Sequence, residues 1–221
     1  MLRLSFLILL CIGLDHSGFA QESQKDTVRN HEQISKTDSV ERNWSYSATL
    51  FGYFVPTDRN FLSGIAYADH GALHLEGRYN YEDINAGSLF AGWRFEFGKK
   101  LTLSLTPMAG FVFGSTNGFI PALEFEANWK ILDYYSETEY VLDYSNSTNN
   151  YLYTWGELGV TPISSLRTGI CYQRTILYET GLDLQRGIFA SYSFWKLTAT
   201  TYYFNPFIPE NFLVLSLGIE F

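Results

Sequence analysis

Apolar and polar residues alternate one by one through most of the chain, most regularly over Phe212–Phe221. There Leu213, Leu215, Leu217, Ile219 and Phe221 share one face, and Val214, Ser216, Gly218 and Glu220 share the other. This is the two-residue period of a β-strand. Upstream, Tyr46, Ala48 and Leu50 alternate with Ser45, Ser47 and Thr49 within 44–54. In 72–82, Leu73, Leu75, Tyr79 and Tyr81 oppose His74, Glu76, Arg78 and Asn80. In 87–97, Leu89, Ala91, Trp93, Phe95 and Phe97 oppose Ser88, Phe90, Gly92, Arg94 and Glu96. Leu123, Phe125, Ala127 and Trp129 oppose Glu124, Glu126 and Asn128, and the parity then reverses after Lys130. Leu132, Tyr134, Ser136, Thr138, Tyr140 and Leu142 oppose Asp133, Tyr135, Glu137, Glu139 and Asp143, and Leu152, Leu158 and Val160 oppose Tyr153, Trp155 and Glu157. Segments 101–113, 166–178, 182–195 and 196–204 complete the set, and 61–68 is its weakest member. Turn-forming clusters such as Asp69-His70-Gly71, Gly98-Lys99-Lys100 and Gly114–Gly118 separate them. The count is about twelve strands, with ten as the alternative.

A strand ending on Phe221 with Ile219, Leu217, Leu215 and Leu213 at every second position before it resembles the closing strand of bacterial outer-membrane β-barrels. The resemblance implies an all-β, up-and-down antiparallel transmembrane barrel in a Gram-negative outer membrane, with these five residues read by the barrel-assembly machinery. An even strand count suits such a barrel. The sheet must close, because an open edge in lipid leaves backbone groups unpaired at several kcal/mol each. Trp44, Tyr81, Phe97, Trp129, Tyr144 and Trp195 fall near strand ends, where aromatic belts sit.

The first residues carry a different pattern. Arg3, the apolar run Leu4–Leu14 and the small-x-small sequence Gly18-Phe19-Ala20 read as a secretory signal over 1–20. A lipoprotein signal on Cys11 is the weaker alternative, since Leu10 stands where a small residue is needed. Residues 21–43 are polar and read as a flexible periplasmic leader, so the barrel occupies 44–221. Removing Cys11 leaves Cys171 alone, with no disulfide and no cysteine metal site. No later stretch of about 18 apolar residues is present for a membrane helix.

Aromatics make up 18% of the residues, which favours strands. The formal charge of −8 excludes nucleic acid as a partner, because phosphate recognition needs a basic stripe. The expected partners are outer-membrane lipids, the assembly machinery and a small solute or cation. No cofactor is implied, and the oligomeric state is not legible.

The charges concentrate on the inward parity: Glu76, Arg78, Arg94, Glu96, Glu124, Glu126, Glu137, Glu139, Glu157 and Arg167. A hairpin register summing to 170 sets Glu76 opposite Arg94 and His74 opposite Glu96. The glutamates from 124 to 157 then form an acidic wall that needs Arg78, Arg94, Arg167, Lys130, water or cations to offset it. Two readings follow. One is a channel-like barrel for small solutes whose acidic wall favours cations. The other is a structural or interaction barrel with its lumen plugged by ion pairs. A lipid-modifying enzyme is a remote third, resting on His74 with Glu76 or Glu96 and lacking a serine motif. Asn146-Ser-Thr148 matches a glycosylation sequon without meaning in this setting.

Overall fold

The computed structural model describes residues 43–56, 58–175 and 184–221. The expected signal, nearly all of the leader, and residues 176–178 and 182–183 of the expected strands lie outside the described residues. The elements are β1 (Ser45–Phe54), β2 (Phe61–His70), β3 (Leu73–Tyr79), β4 (Ala86–Trp93), β5 (Phe95–Gly98), β6 (Leu101–Gly114) and β7 (Gly118–Trp129). They continue as β8 (Leu132–Asp143), β9 (Tyr151–Ile163), β10 (Leu166–Arg174), β11 (Gln185–Phe194), β12 (Leu197–Phe204) and β13 (Phe212–Glu220).

Except for β4 and β5, each strand pairs antiparallel with its neighbour in sequence, and β1 pairs with β13 from Ser47↔Glu220 to Phe54↔Leu213. The sheet therefore closes on itself. Both β4 and β5 pair with β6 in one continuous register, Gly92↔Met108 running on to Phe95↔Leu105. They are two halves of a single ribbon interrupted at Arg94, whose N–H donates to Ala72 O instead (2.8 Å). The barrel thus has twelve staves. The weak 61–68 segment is one of them, paired on both sides.

Alternation decides which side chains face out. Leu50, Leu62, Leu89, Phe111, Leu123, Leu158, Ile170, Ile188, Leu215 and Leu217 are all exposed on the outer surface. Such a girdle is stable only against acyl chains. Trp44, Phe97, Trp129, Tyr144 and Trp195 are exposed near the strand ends, as expected of belts. Tyr81 is not: it is buried, because Asn80 takes a left-handed conformation (φ 53°) and the strand parity ends there.

The two ends of the barrel differ. At the end where β1 starts and β13 finishes, here the turn end, the reversals are Gly71-Ala72, Lys99-Lys100, Lys130-Ile131, Ser164-Ser165 and Trp195-Lys196. Gly71, Gly98, Lys130 and Trp195 have positive φ there, as tight hairpins require. At the opposite, loop end the fully described connections span 80–85, 115–117, 144–150 and 205–211. Short turns at one end and longer loops at the other match the periplasmic and external ends of such barrels.

Candidate functional site

Inward-facing residues grow more buried from the turn end toward the loop end. Along β8, Asp133 and Tyr135 are half-buried, whereas Glu137, Glu139 and Val141 are buried. On β13, Gly218 and Ser216 are half-buried, and Val214 and Phe212 are buried. The gradient repeats on β12 from Thr198 to Phe204 and on β6 from Thr102 to Val112. The interior is a cup, packed solid toward the loops and open toward the turns. A cavity of about 190 Å³, lined by Thr49, Phe51, Tyr67, Tyr135, Glu157 and Thr200 among others, forms part of its open half.

Arg78 stands at the centre of the packed half. Its Nε donates to Glu76 Oε2 (2.6 Å), and its Nη1 lies 2.6 Å from Glu137 Oε1 and 3.2 Å from Glu82 Oε1. Nη1 also contacts Glu139. The rings of Phe90 and Tyr81 lie 4.2 and 4.8 Å from its Cζ, close enough for cation–π attraction. One guanidinium thus serves four carboxylates in a site sealed from water. Oε2 of Glu82 and Oε2 of Glu139 accept no hydrogen bond among the described residues. Such a cluster is costly to bury, and its charge is far from balanced. Burial pushes the carboxyl of Glu82, in the 80–85 loop, above the ordinary range despite the nearby Arg78.

The remaining acids are held by hydroxyls and a second arginine. Glu124 stands opposite Glu137 in the β7–β8 ladder. Tyr135 OH donates to Glu124 Oε1 (2.9 Å) and Tyr81 OH to Glu137 Oε2 (3.1 Å). Glu157 accepts from Trp155 Nε1 (3.1 Å) and Tyr202 OH (2.9 Å), and is paired with Arg167, which also holds Asp133. Arg78 therefore reaches the acidic wall from across the barrel, and Arg167 reaches it from the adjacent strand. Lys130 does not, because it lies outside over the Trp129 ring (4.9 Å). Glu126 is half-buried and Glu96 exposed toward the turn end.

The expected β3–β4 register is wrong. Glu76 faces Phe90, and His74 faces Gly92. The hairpin closes around Asp83, where Asn80 N–H donates to Ala86 O (2.9 Å) and both Asn80 and Asn85 are left-handed. Arg94 consequently lies beyond Glu76. Its Nη2 is 3.2 Å from Asp69 Oδ1 and 3.2 Å from His74 Nδ1. His74 Nδ1 lies 2.7 Å from Asp69 Oδ1 and its Nε2 lies 2.6 Å from Glu76 Oε1, so it is not the partner of Glu96. Among the described residues, the groups in polar contact with His74 are carboxylates and the Arg94 guanidinium. Asp133, Tyr135 and Tyr153 read inward by parity without a partner to give them a role, while Asp69 and Glu82 fall at the predicted turns and Tyr81 reads outward.

No protein-family model matches the chain, and no curated protein matches it. Solved structures do. The chain is similar to the KdgM porin in complex with disordered oligogalacturonate, with TM-score 0.58 and 14% identity over 79% of this chain and 99% of that one. It is similar to the KdgM porin in a second structure, with TM-score 0.55 and 14% identity over 79% and 98%. A likeness to the Acinetobacter baumannii outer-membrane protein Omp33 has TM-score 0.44 and 10% identity over 82% and 100%. At such identities the KdgM likeness is one of fold. With its closed twelve-stave sheet and apolar girdle, the chain is an outer-membrane β-barrel with the fold of a porin.

Proposed function

We propose that this barrel is a channel for small solutes, preferring cations, whose acidic lumen is shut near the loop end by the Arg78 cluster. The observation that carries this reading is the excess of carboxylates around one guanidinium at the point where the cup closes. A barrel needing only a filled interior would do better with apolar side chains there. The open half admits solute from the turn end, and the acids behind it repel anions. An anionic oligosaccharide of the kind held by the KdgM porin does not suit that lining. Outer-membrane lipids and the barrel-assembly machinery are the other partners this reading requires.

Planar-bilayer recording of the refolded protein tests it. The native barrel should show rare cation-selective openings, and Arg78→Ser should raise the open fraction by leaving the carboxylates to repel one another. The Glu137→Gln, Glu157→Gln double variant should weaken the cation preference. A second reading, a structural barrel with a permanent plug, is favoured by the near-complete burial of Glu82, Glu137, Glu139 and Arg78. Silence in native and Arg78→Ser proteins alike would establish it.

A further inference from the structure

We propose that His74, Glu76 and Glu124 form a binding site for one divalent first-row transition-metal ion inside the lumen. The proposal goes beyond the channel reading and does not depend on it. His74 Nε2 and one oxygen each of Glu76 and Glu124 lie within 4.8 Å of one another, and all three residues are buried. His74 Nε2 is 3.8 Å from Glu124 Oε2 and 2.6 Å from Glu76 Oε1. Around a tetrahedral ion with bonds near 2.1 Å, ligand atoms stand about 3.4 Å apart. Sub-ångström movements of two carboxylates, with loss of the His74–Glu76 hydrogen bond and its proton, therefore convert the trio into a coordination set.

A second feature is independent of this proximity. Each side chain has its other polar atom anchored from behind. Asp69 holds His74 Nδ1 (2.7 Å), Arg78 Nε holds Glu76 Oε2 (2.6 Å) and Tyr135 OH holds Glu124 Oε1 (2.9 Å). The remaining polar atom of each faces the other two residues, where His74 Nε2 and Glu76 Oε1 now share a hydrogen bond that an ion would replace. This is how metal ligands are oriented by their outer partners, with a carboxylate on the distal histidine nitrogen fixing the tautomer that leaves Nε2 to bind. An ion-paired histidine needs one such anchor, not three converging ones.

The surroundings favour a dication. The neighbouring Arg78 cluster carries more carboxylate than cation, and an added double positive charge offsets part of it. Three protein ligands leave a coordination position for water or solute, as in sites that exchange their fourth ligand. The Tyr67 ring, 5.7 Å from that of His74, and Tyr135 both line the cavity in the open half, giving the ion a route in. One imidazole with two carboxylates suits Zn²⁺, Mn²⁺ or Fe²⁺, and excludes Cu⁺, which prefers sulfur.

The test is metal binding to full-length, untagged protein refolded in detergent and stripped with chelator. Zn²⁺ titration by calorimetry should show one site per barrel, and Co²⁺ should give the visible absorption of a low-coordinate complex. His74→Ala and Glu124→Gln should abolish both signals. Tyr135→Phe, which keeps every ligand, should weaken Zn²⁺ about 10- to 100-fold. Glu210→Gln, in the exposed 205–211 loop, should bind as the native protein does. Heat-modifiable migration on gels establishes that each variant is folded. Binding unchanged in folded His74→Ala, equal affinity in Tyr135→Phe, or no stoichiometric site in the native protein would overturn the proposal. Bilayer conductance enters none of these readouts, so the channel reading stands or falls separately.

Discussion

Glu124 on β7 and Glu137 on β8 stand directly opposite each other across the sheet, both facing the lumen and both buried. Like charges so placed destabilise a ladder. They coexist because Tyr135 OH stands between them, 2.9 Å from Glu124 Oε1 and 3.4 Å from Glu137 Oε2, while Tyr81 and Arg78 hold Glu137 as well.

Removing one charge from the two sides of this arrangement should act in opposite directions. Arg78→Ala strands four buried carboxylates and is expected to cost about 3–5 kcal/mol. Glu137→Gln keeps an acceptor for Tyr81 and relieves repulsion with Glu124 and Glu139, so it should stabilise by up to about 1 kcal/mol. Reversible urea unfolding in detergent or lipid, followed by tryptophan fluorescence, measures both. A loss of stability in Glu137→Gln would mean that the cluster is better balanced than its contacts imply.

Glu82 gives a pH signature. Burial raises its carboxyl pKa in the folded barrel, so the folded state binds the proton more tightly than the unfolded chain. Its contribution is present below the unfolded pKa and is lost as pH rises through the folded value. Glu82→Gln removes that loss. The stability advantage of the variant over the native protein should be small in mild acid and grow toward alkaline pH, and a flat difference would contradict the assignment.

Gly110 lies beneath the ring of Phe90, where an added Cβ would collide with it. Phe90 in turn covers the guanidinium of Arg78 at 4.2 Å. Gly110→Ala should therefore push the ring off Arg78 and cost about 1–3 kcal/mol, as overpacking does. Phe90→Leu in the same background should recover part of the loss, because a smaller side chain leaves room for the new methyl.

On the outer wall, Leu217 pairs with Leu50 on β1 and Ala199 on β12, and it is 54% exposed. Leu217→Arg should cost about 2–4 kcal/mol near the membrane midplane, while Ser216→Ala on the inward face should be near neutral. Equal effects at the two positions would show that the inside and outside of β13 had been exchanged. Loss of Phe221, whose N–H donates to Tyr46 O (2.8 Å), should slow assembly in cells, read as a smaller heat-modifiable fraction.

Parity made most of this fold legible. Because side chains alternate strictly along a strand, Leu215 and Leu217 read outward, and Glu124, Glu137, Glu139 and Glu157 read inward, without knowledge of any neighbour. Register is different, since it depends on where a hairpin reverses. The left-handed asparagines at 80 and 85 moved Arg94 away from Glu76, and no charge pattern announced that. The same turn brought Tyr81 inside, against its strand parity. The meeting of Arg78 with β8 is a contact across the bore, set by barrel diameter and stave tilt, which a linear pattern does not encode.

The seam joining Ser47 to Glu220 and Phe54 to Leu213 links segments that ribosomal synthesis separates by nearly the whole barrel. Until β13 is available, β1 presents an unsatisfied edge, and no partial ribbon can complete its hydrogen bonding in lipid. Closure is thus a late, strongly non-local event of the slow-folding kind. The nascent polypeptide must be kept from aggregating, start to finish, before any of it is committed to the bilayer.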